Sequence, residues 1–231
     1  RSTHRVTLFP YTTLFRSDNF LTAILGRYEG TRLGRQEIEA ELLEDNPGAL
    51  WTQGLIDRLR VRQAPQLKRI AVAIDPAVTS KDDSDETGII CGGLGVDGHG
   101  YIMADLSGKL AALEWAQAAC DWYEANGADR IVAETNNGGD LVEATIRTVN
   151  PMVSYKAVTA TRGKIIRAEP IAALYEQGKV HHVGQFPLLE DQMTTFDPAT
   201  SRKSPDRMDA AVWLLSDLML KQSATPSVTM L

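Results

Sequence analysis

The sequence predicts an α/β domain built on a mixed five-stranded sheet flanked by helices. Three observations carry this. Two apolar runs of strand length, residues 70–74 and 131–133, each close on a carboxylate, Asp75 and Glu134. Three strand-like segments follow one another through a loop and a turn, as in a meander. Beyond them, helical and strand-like segments alternate along the chain.

The first strand covers residues 68–75, and an acidic loop, 81–86, leads to a second at 87–94. Gly95, Val96, Asp97, Gly98, His99 and Gly100 turn the chain into a third strand at 101–106. A helix over 108–125 places Ala112, Trp115, Ala119 and Trp122 on one stripe beside Leu113, Ala116, Cys120 and Tyr123. That wide apolar face belongs against a sheet. Asn126 and Gly127 end it, since both tolerate the left-handed conformation that closes helices.

A fourth strand at 130–134 is followed by a turn at Asn136, Asn137, Gly138 and Gly139 and a helix running to Val149. The fifth strand spans 152–158. The helix over 163–177 carries Pro170, a kink or first-turn residue. A short apolar piece at 180–183, a small helix at 188–196 and an amphipathic helix at 205–220 complete the domain. Residues 221–231 read as a flexible tail. The first and fourth strands, continuous apolar runs, are the pair expected to lie parallel near the sheet centre.

Ahead of this domain, residues 18–61 are mostly helical and polar. Ile38, Leu42 and Leu43 share one side of a helix, and Asn46, Pro47 and Gly48 break it. Leu50, Trp51, Leu55, Ile56 and Leu59 form a second apolar pattern, too short to bury itself, with a boundary near residues 63–66. Residues 7–17 resemble a translated sequencing adapter, so residues 1–17 are expected to be artefactual and disordered.

Composition restricts the function classes. Hydrophobic content of 43% and charged content of 23% describe a globular protein. No apolar run approaches the roughly 20 residues of a membrane span. A net charge of −6 does not advertise a nucleic-acid binder, but a sum over the chain is blind to local patches. Cys91 and Cys120 lack CxxC spacing and read as buried, reduced thiols of a cytoplasmic protein.

Carboxylates are poor strand residues, so Asp75 and Glu134 each need a reason to close a buried strand. Singly, each is explained by a turn cap, as Asp75 before Pro76. At the same end of adjacent parallel strands they would repel by roughly a few kcal/mol unless a cation lay between them. The final helix offers Asp209, between small neighbours that permit close approach to the sheet. Asp206, in its first turn, is a capping residue or a secondary ligand. All-oxygen ligation of this kind suits Mg²⁺ or Mn²⁺, and two ions about 4 Å apart would suit phosphodiester cleavage. His99, His181 and His182 show no zinc-ligand spacing with the cysteines. Arg162, Lys164 and Arg167, and Arg202, Lys203 and Arg207, form two basic groups able to contact DNA phosphates or to serve as solvated faces.

Four segments together resemble a known family: Ala73, Ile74, Asp75, Pro76 and Ala77; Asp85, Glu86, Thr87, Gly88 and Ile89; Val132, Ala133, Glu134, Thr135 and Asn136; and residues 204–210 around Asp206 and Asp209. They are similar to the C-terminal nuclease domain of tailed-phage terminase large subunits. The resemblance implies an RNase H-like, RuvC-related fold with Asp75, Glu134 and Asp209 as the catalytic, metal-binding triad. It implies a metal-dependent endonuclease cutting concatemeric double-stranded viral DNA at packaging, leaving 3′-hydroxyl and 5′-phosphate ends. It also implies a portal protein and a small terminase subunit as partners, in the host cytoplasm. Residues 28–37 and 48–51 resemble the junction leaving the family's ATPase domain. Residues 18–65 are then a helical remnant or linker and 66–220 the nuclease domain. No Gly-rich phosphate loop ending in Lys and Ser or Thr occurs, so the ATPase motor is not expected in this chain. Two alternatives remain open: a RuvC-like junction resolvase, and a non-catalytic portal-docking module.

Overall fold

Alternating apolar residues set the architecture before any site is considered. The computed structural model describes residues 46, 48–76, 86–135, 139–160, 163–197 and 205–220. Its elements, in chain order, are α1 (Gln53–Arg58), β1 (Leu67–Asp75), β2 (Gly88–Gly95), β3 (Gly100–Asp105), α2 (Ala112–Ala125), β4 (Arg130–Glu134), α3 (Gly139–Val149), β5 (Tyr155–Val158), α4 (Lys164–Glu176), β6 (Val180–His182), α5 (Pro187–Thr195) and α6 (Asp206–Met219).

The strands form one sheet in the order β5-β4-β1-β2-β3-β6. β2 is antiparallel to both β1 and β3, while β4 runs parallel to β1, β5 to β4 and β6 to β3. The class expected from sequence holds, with one correction: the sheet has six strands, not five. Residues 180–182 are too few to carry a strand signal, yet they pair with Gly100, Tyr101 and Ile102 along the edge of β3.

Both sheet faces are covered. On one, Ala71 and Ala73 of β1, Ile90 of β2 and Ile102 of β3 meet α6, α4, α5 and α1. On the other, Val72, Ile74, Ile89, Cys91, Ile131 and Ala133 meet Trp115, Ala116, Ala119 and Cys120 of α2 and Val142 and Ile146 of α3. The period-2 alternation of β1 thus divides its side chains between two cores. Cys91 and Cys120 are buried and free, as expected. α2 closes at Gly127, whose φ of +57° is the left-handed conformation anticipated there. Among the described residues no helix is long and apolar enough to cross a membrane.

The core also reaches back beyond the composition boundary near residues 63–66. Thr52 caps α1 by accepting from the Leu55 N–H. Trp51 and Ile56 are fully buried, and Trp51 packs edge-on against Tyr175 at 6.1 Å between ring centroids. Arg60 donates to both oxygens of the buried Glu190 at 2.7 and 3.0 Å. His182 Nδ1 stands 2.9 Å from the same carboxylate, and its Nε2 lies 2.8 Å from the Tyr175 hydroxyl. The segment ahead of β1 is therefore clasped to β6, α4 and α5 by one buried acid. The expectations for residues 1–45, for the loop at 81–85, for the turn at 136–138 and for the tail at 221–231 fall outside the described residues.

Burial would raise the Glu190 carboxyl, but hydrogen bonds and charge from His182 and Arg60 outweigh it and hold it at about 2. A folded value below the unfolded one, about 4.3, means stability that is fully present above the unfolded value and lost as pH falls through the folded one. Glu190→Gln should cost about 3 kcal/mol in urea unfolding at pH 7 and flatten the loss of stability between about pH 5 and 2. Equal acid sensitivity in both proteins would remove Glu190 from this role.

Candidate active site

Strand register brings the first two acids together. β1 and β4 pair through Ile74 and Ala133, so the residues that follow, Asp75 and Glu134, end neighbouring parallel strands at the same edge. Asp75 continues the Ala71 and Ala73 series, on the face that α6 covers. Helix α6 crosses β1 and β2 on that face and begins with Asp206 and Asp209. Its close approach depends on Gly88: a Cβ there would lie 2.0 Å from the Asp206 carbonyl oxygen. The small residue on β2 is what lets the start of α6 sit down on the sheet.

The acids are enclosed. Asp209 is 1% exposed and Asp206 8%. Glu134 accepts from the Trp213 indole N–H at 2.6 Å and from Arg167 at 3.1 Å. The Arg167 guanidinium lies 4.4 Å above the Trp213 ring and reaches to 3.9 Å from Asp209. Lys164 forms an ion pair with the other oxygen of Asp209. The N-terminal turn of α4 thus delivers two cations into the acid cluster.

These cations do not balance it. Burial, then repulsion from Asp209 and Glu134, pushes the Asp75 carboxyl up to about 8; Asp206 adds to this and Lys164 opposes it. Asp209 is also raised, by burial first, against the opposing pull of Lys164 and Arg167. The donor set is all oxygen and its excess charge is negative, which fits a hard divalent cation. As the side chains stand, no group of three His, Cys, Asp or Glu residues among those described is gathered to hold a metal ion. Lys164 and Arg167 occupy carboxylate oxygens that an ion would share.

The basic residues expected at DNA distribute differently. Lys164 and Arg167 lie against the acids rather than on an open face. Arg207 is 4% exposed, and its guanidinium binds Glu86 at 2.8 Å and Asp105 at 2.8 Å. Three of its five N–H donors are engaged with these two carboxylates, and the residue presents no open cationic face. Arg162, Arg202 and Lys203 fall outside the described residues. Two residues escaped sequence reasoning. Trp213 lies four positions after Asp209, one turn along the same helix face, a spacing that pointed to it. Asp105 closes a third apolar strand at the same sheet edge and repeats the pattern of Asp75 and Glu134.

This sheet order with acids at the ends of β1 and β4 and on α6 defines an RNase H-like domain. The chain belongs to the terminase RNaseH-like domain family, whose sequence model matches residues 72–218. No curated protein matches it. Among solved structures it is similar to the large terminase nuclease from thermophilic phage G20c, with 15% identity, a TM-score of 0.52, and coverage of 73% of this chain and 98% of that one. That nuclease has also been solved with bound magnesium and with bound cobalt. The nuclease domain of the large terminase subunit gp2 of bacterial virus Sf6 matches at 12% identity and a TM-score of 0.51, covering 71% of this chain and 96% of that one. The large terminase of another thermophilic bacteriophage matches at 11% identity and a TM-score of 0.56, over 74% of this chain but 45% of that one.

The Asp75 carboxyl, raised in the fold above its unfolded value, favours folding while protonated. That contribution is present below about pH 4 and lost as pH rises toward about 8. In EDTA at pH 8, Asp75→Asn should therefore be more stable than the parent by about 1–3 kcal/mol, with the gap closing toward pH 5. Thermal melts that run parallel for the two proteins across this range would contradict the electrostatic account.

Proposed function

We propose that this domain is a divalent-metal-dependent endonuclease that cuts viral double-stranded DNA during genome packaging. What supports the reading is that Asp75 and Glu134 end neighbouring parallel strands where the first turns of α6 bring Asp209 close enough to repel Asp75, whose carboxyl is held up to about 8. The bound magnesium and cobalt of the G20c nuclease support the same assignment by fold likeness.

Asp75, Glu134 and Asp209 would hold one or two Mg²⁺ or Mn²⁺ ions, with Asp206 beside them. When bound, such ions lower the pKa of water and neutralise charge developing on phosphate oxygens. The protein's own contribution is to fix and dry the site. Trp213 and Arg167 orient Glu134, and Lys164 and Arg167 fix Asp209. Lys164 and Arg167 are also the cations we assign to the DNA backbone at the point of cleavage, since they already stand among the acids. Gly88 and the buried face of α6 exclude side chains and solvent that would loosen the cluster.

The same reading makes the substrate concatemeric DNA, the place of action the host cytoplasm, and the partners of the whole enzyme a portal protein and a small terminase subunit. The chain spans under half of the longer large terminase it matches, and an ATPase motor would be supplied outside the matched region.

Purified protein should nick and linearise supercoiled plasmid with Mg²⁺ or Mn²⁺ and not with EDTA. Asp75→Ala, Glu134→Ala and Asp209→Ala should each lower the rate by on the order of 100-fold or more. Trp213→Phe, which removes the donor to Glu134 and keeps the ring, should lower it about 10-fold, as loss of a ligand-orienting partner does. Undiminished cleavage by the alanine variants would refute the site.

A further inference from the structure

A cavity of about 480 Å³ opens at the far end of α6 from the acid cluster. Four cationic side chains line it, Lys68, Arg69, Arg130 and Lys156, together with one carboxylate, Asp217. Arg69, Arg130 and Lys156 come from the start of β1, the start of β4 and the middle of β5, on the sheet face that carries the acids at its other end, and Lys68 adjoins Arg69. The Asp217 side chain is 4% exposed, and it accepts from Arg69 at 2.8 Å and from Lys156 at 2.7 Å. Arg130 reaches only to 3.7 Å from it.

One carboxylate does not satisfy this group. Even after the partial negative charge of the α6 C-terminus, roughly half a unit, is added, the wall keeps an excess of more than two positive charges. The Arg130 Nε–H is buried with no hydrogen-bond partner among the described residues. A buried donor in that state is costly and calls for an acceptor. Lys68 is exposed at the rim. Asp217 reaches Arg69, Lys156 and, more distantly, Arg130, but it sets one negative charge against their three and leaves Lys68 out. Guanidinium forks and ammonium groups arrayed in this way suit phosphate oxygens.

We propose that this cavity is a second phosphate-binding site, separate from the acid cluster. Asp209 and Asp217 are eight residues apart on α6, or about 12 Å along its axis. A DNA strand advances about 3.4 Å per nucleotide, so a strand held at the acids would bring another phosphate to the cavity within about four nucleotides. In its DNA form the proposal rests on the nuclease reading; as a phosphate site it does not.

Both sources of phosphate are testable in EDTA, where cleavage is not required. Inorganic phosphate should shift the ¹⁵N resonance of Arg130 Nε in the intact protein. A short DNA duplex, followed by fluorescence anisotropy across a salt series, should bind Lys68→Glu about tenfold more weakly, with a log–log salt slope shallower by about one. Lys68→Glu leaves the Asp217 pairs in place, so loss of folding does not confuse the result. Asp217→Asn, which removes the one competing carboxylate, should tighten binding. An Arg130 shift with phosphate and no effect of Lys68→Glu on DNA assigns the site to free phosphate; both effects together assign it to the DNA backbone. No Arg130 shift with phosphate, or a shift produced by a glutamate-rich peptide in its place, overturns the proposal. Failure of the plasmid assay leaves these readings intact, since none depends on hydrolysis.

Discussion

Like charges crowded into a poorly hydrated corner are the constraint on which this structure turns. Asp75, Glu134, Asp206 and Asp209 sit at the edge where β1 and β4 end and α6 begins, and Asp105 ends β3 nearby. Each is expensive to bury, and each is answered differently. Glu134 takes an indole N–H and a guanidinium, Asp209 a lysine and the edge of the same guanidinium, and Asp105 a buried arginine. The remaining imbalance falls on Asp75, whose carboxyl is held up to about 8. Acids gathered in this manner and not fully neutralised suit a hard divalent cation, which is the ligand the proposed function calls for.

Helix α6 carries this logic along its length. Its first turns present Asp206 and Asp209 to the sheet edge and commit Arg207 inward to Glu86 and Asp105. Its middle supplies the apolar seam of Ala210, Ala211, Leu214 and Leu215 over β1 and β2. Its last turn places Asp217 among the cations of β1, β4 and β5. One rigid element therefore fixes the separation of an acidic and a basic centre. The Glu190 clasp on the same side of the sheet ties residues ahead of β1 to the helices that brace α6.

Much of this was legible in the chain because burial and chemistry conflict openly there. An apolar run that stops at Asp75 or Glu134 is conspicuous, and so is an acid set among alanines at Asp209. Elements whose signals are short or whose partners are remote were not legible. Three residues of β6 carry too little pattern to distinguish a strand from a loop. Trp51 and Arg60 look like part of a linker until Tyr175 and Glu190, more than a hundred residues away, are brought beside them. Arg207 reads as a solvated helix-start cation because the acids that draw it inward come from before β2 and from the end of β3. Lys164 and Arg167 read in the sequence as cations for DNA phosphates, and only the fold shows them bonded to the acids.

Calorimetric titration of the intact protein with Mn²⁺ at pH 7, in two buffers of different ionisation enthalpy, tests the central claim most directly. A carboxyl held up to about 8 is mostly protonated at that pH and must lose its proton to ligate. Mn²⁺ binding should release close to one proton, and Asp75→Asn should abolish that release. Binding with no proton released, or no binding at all, would contradict the claim.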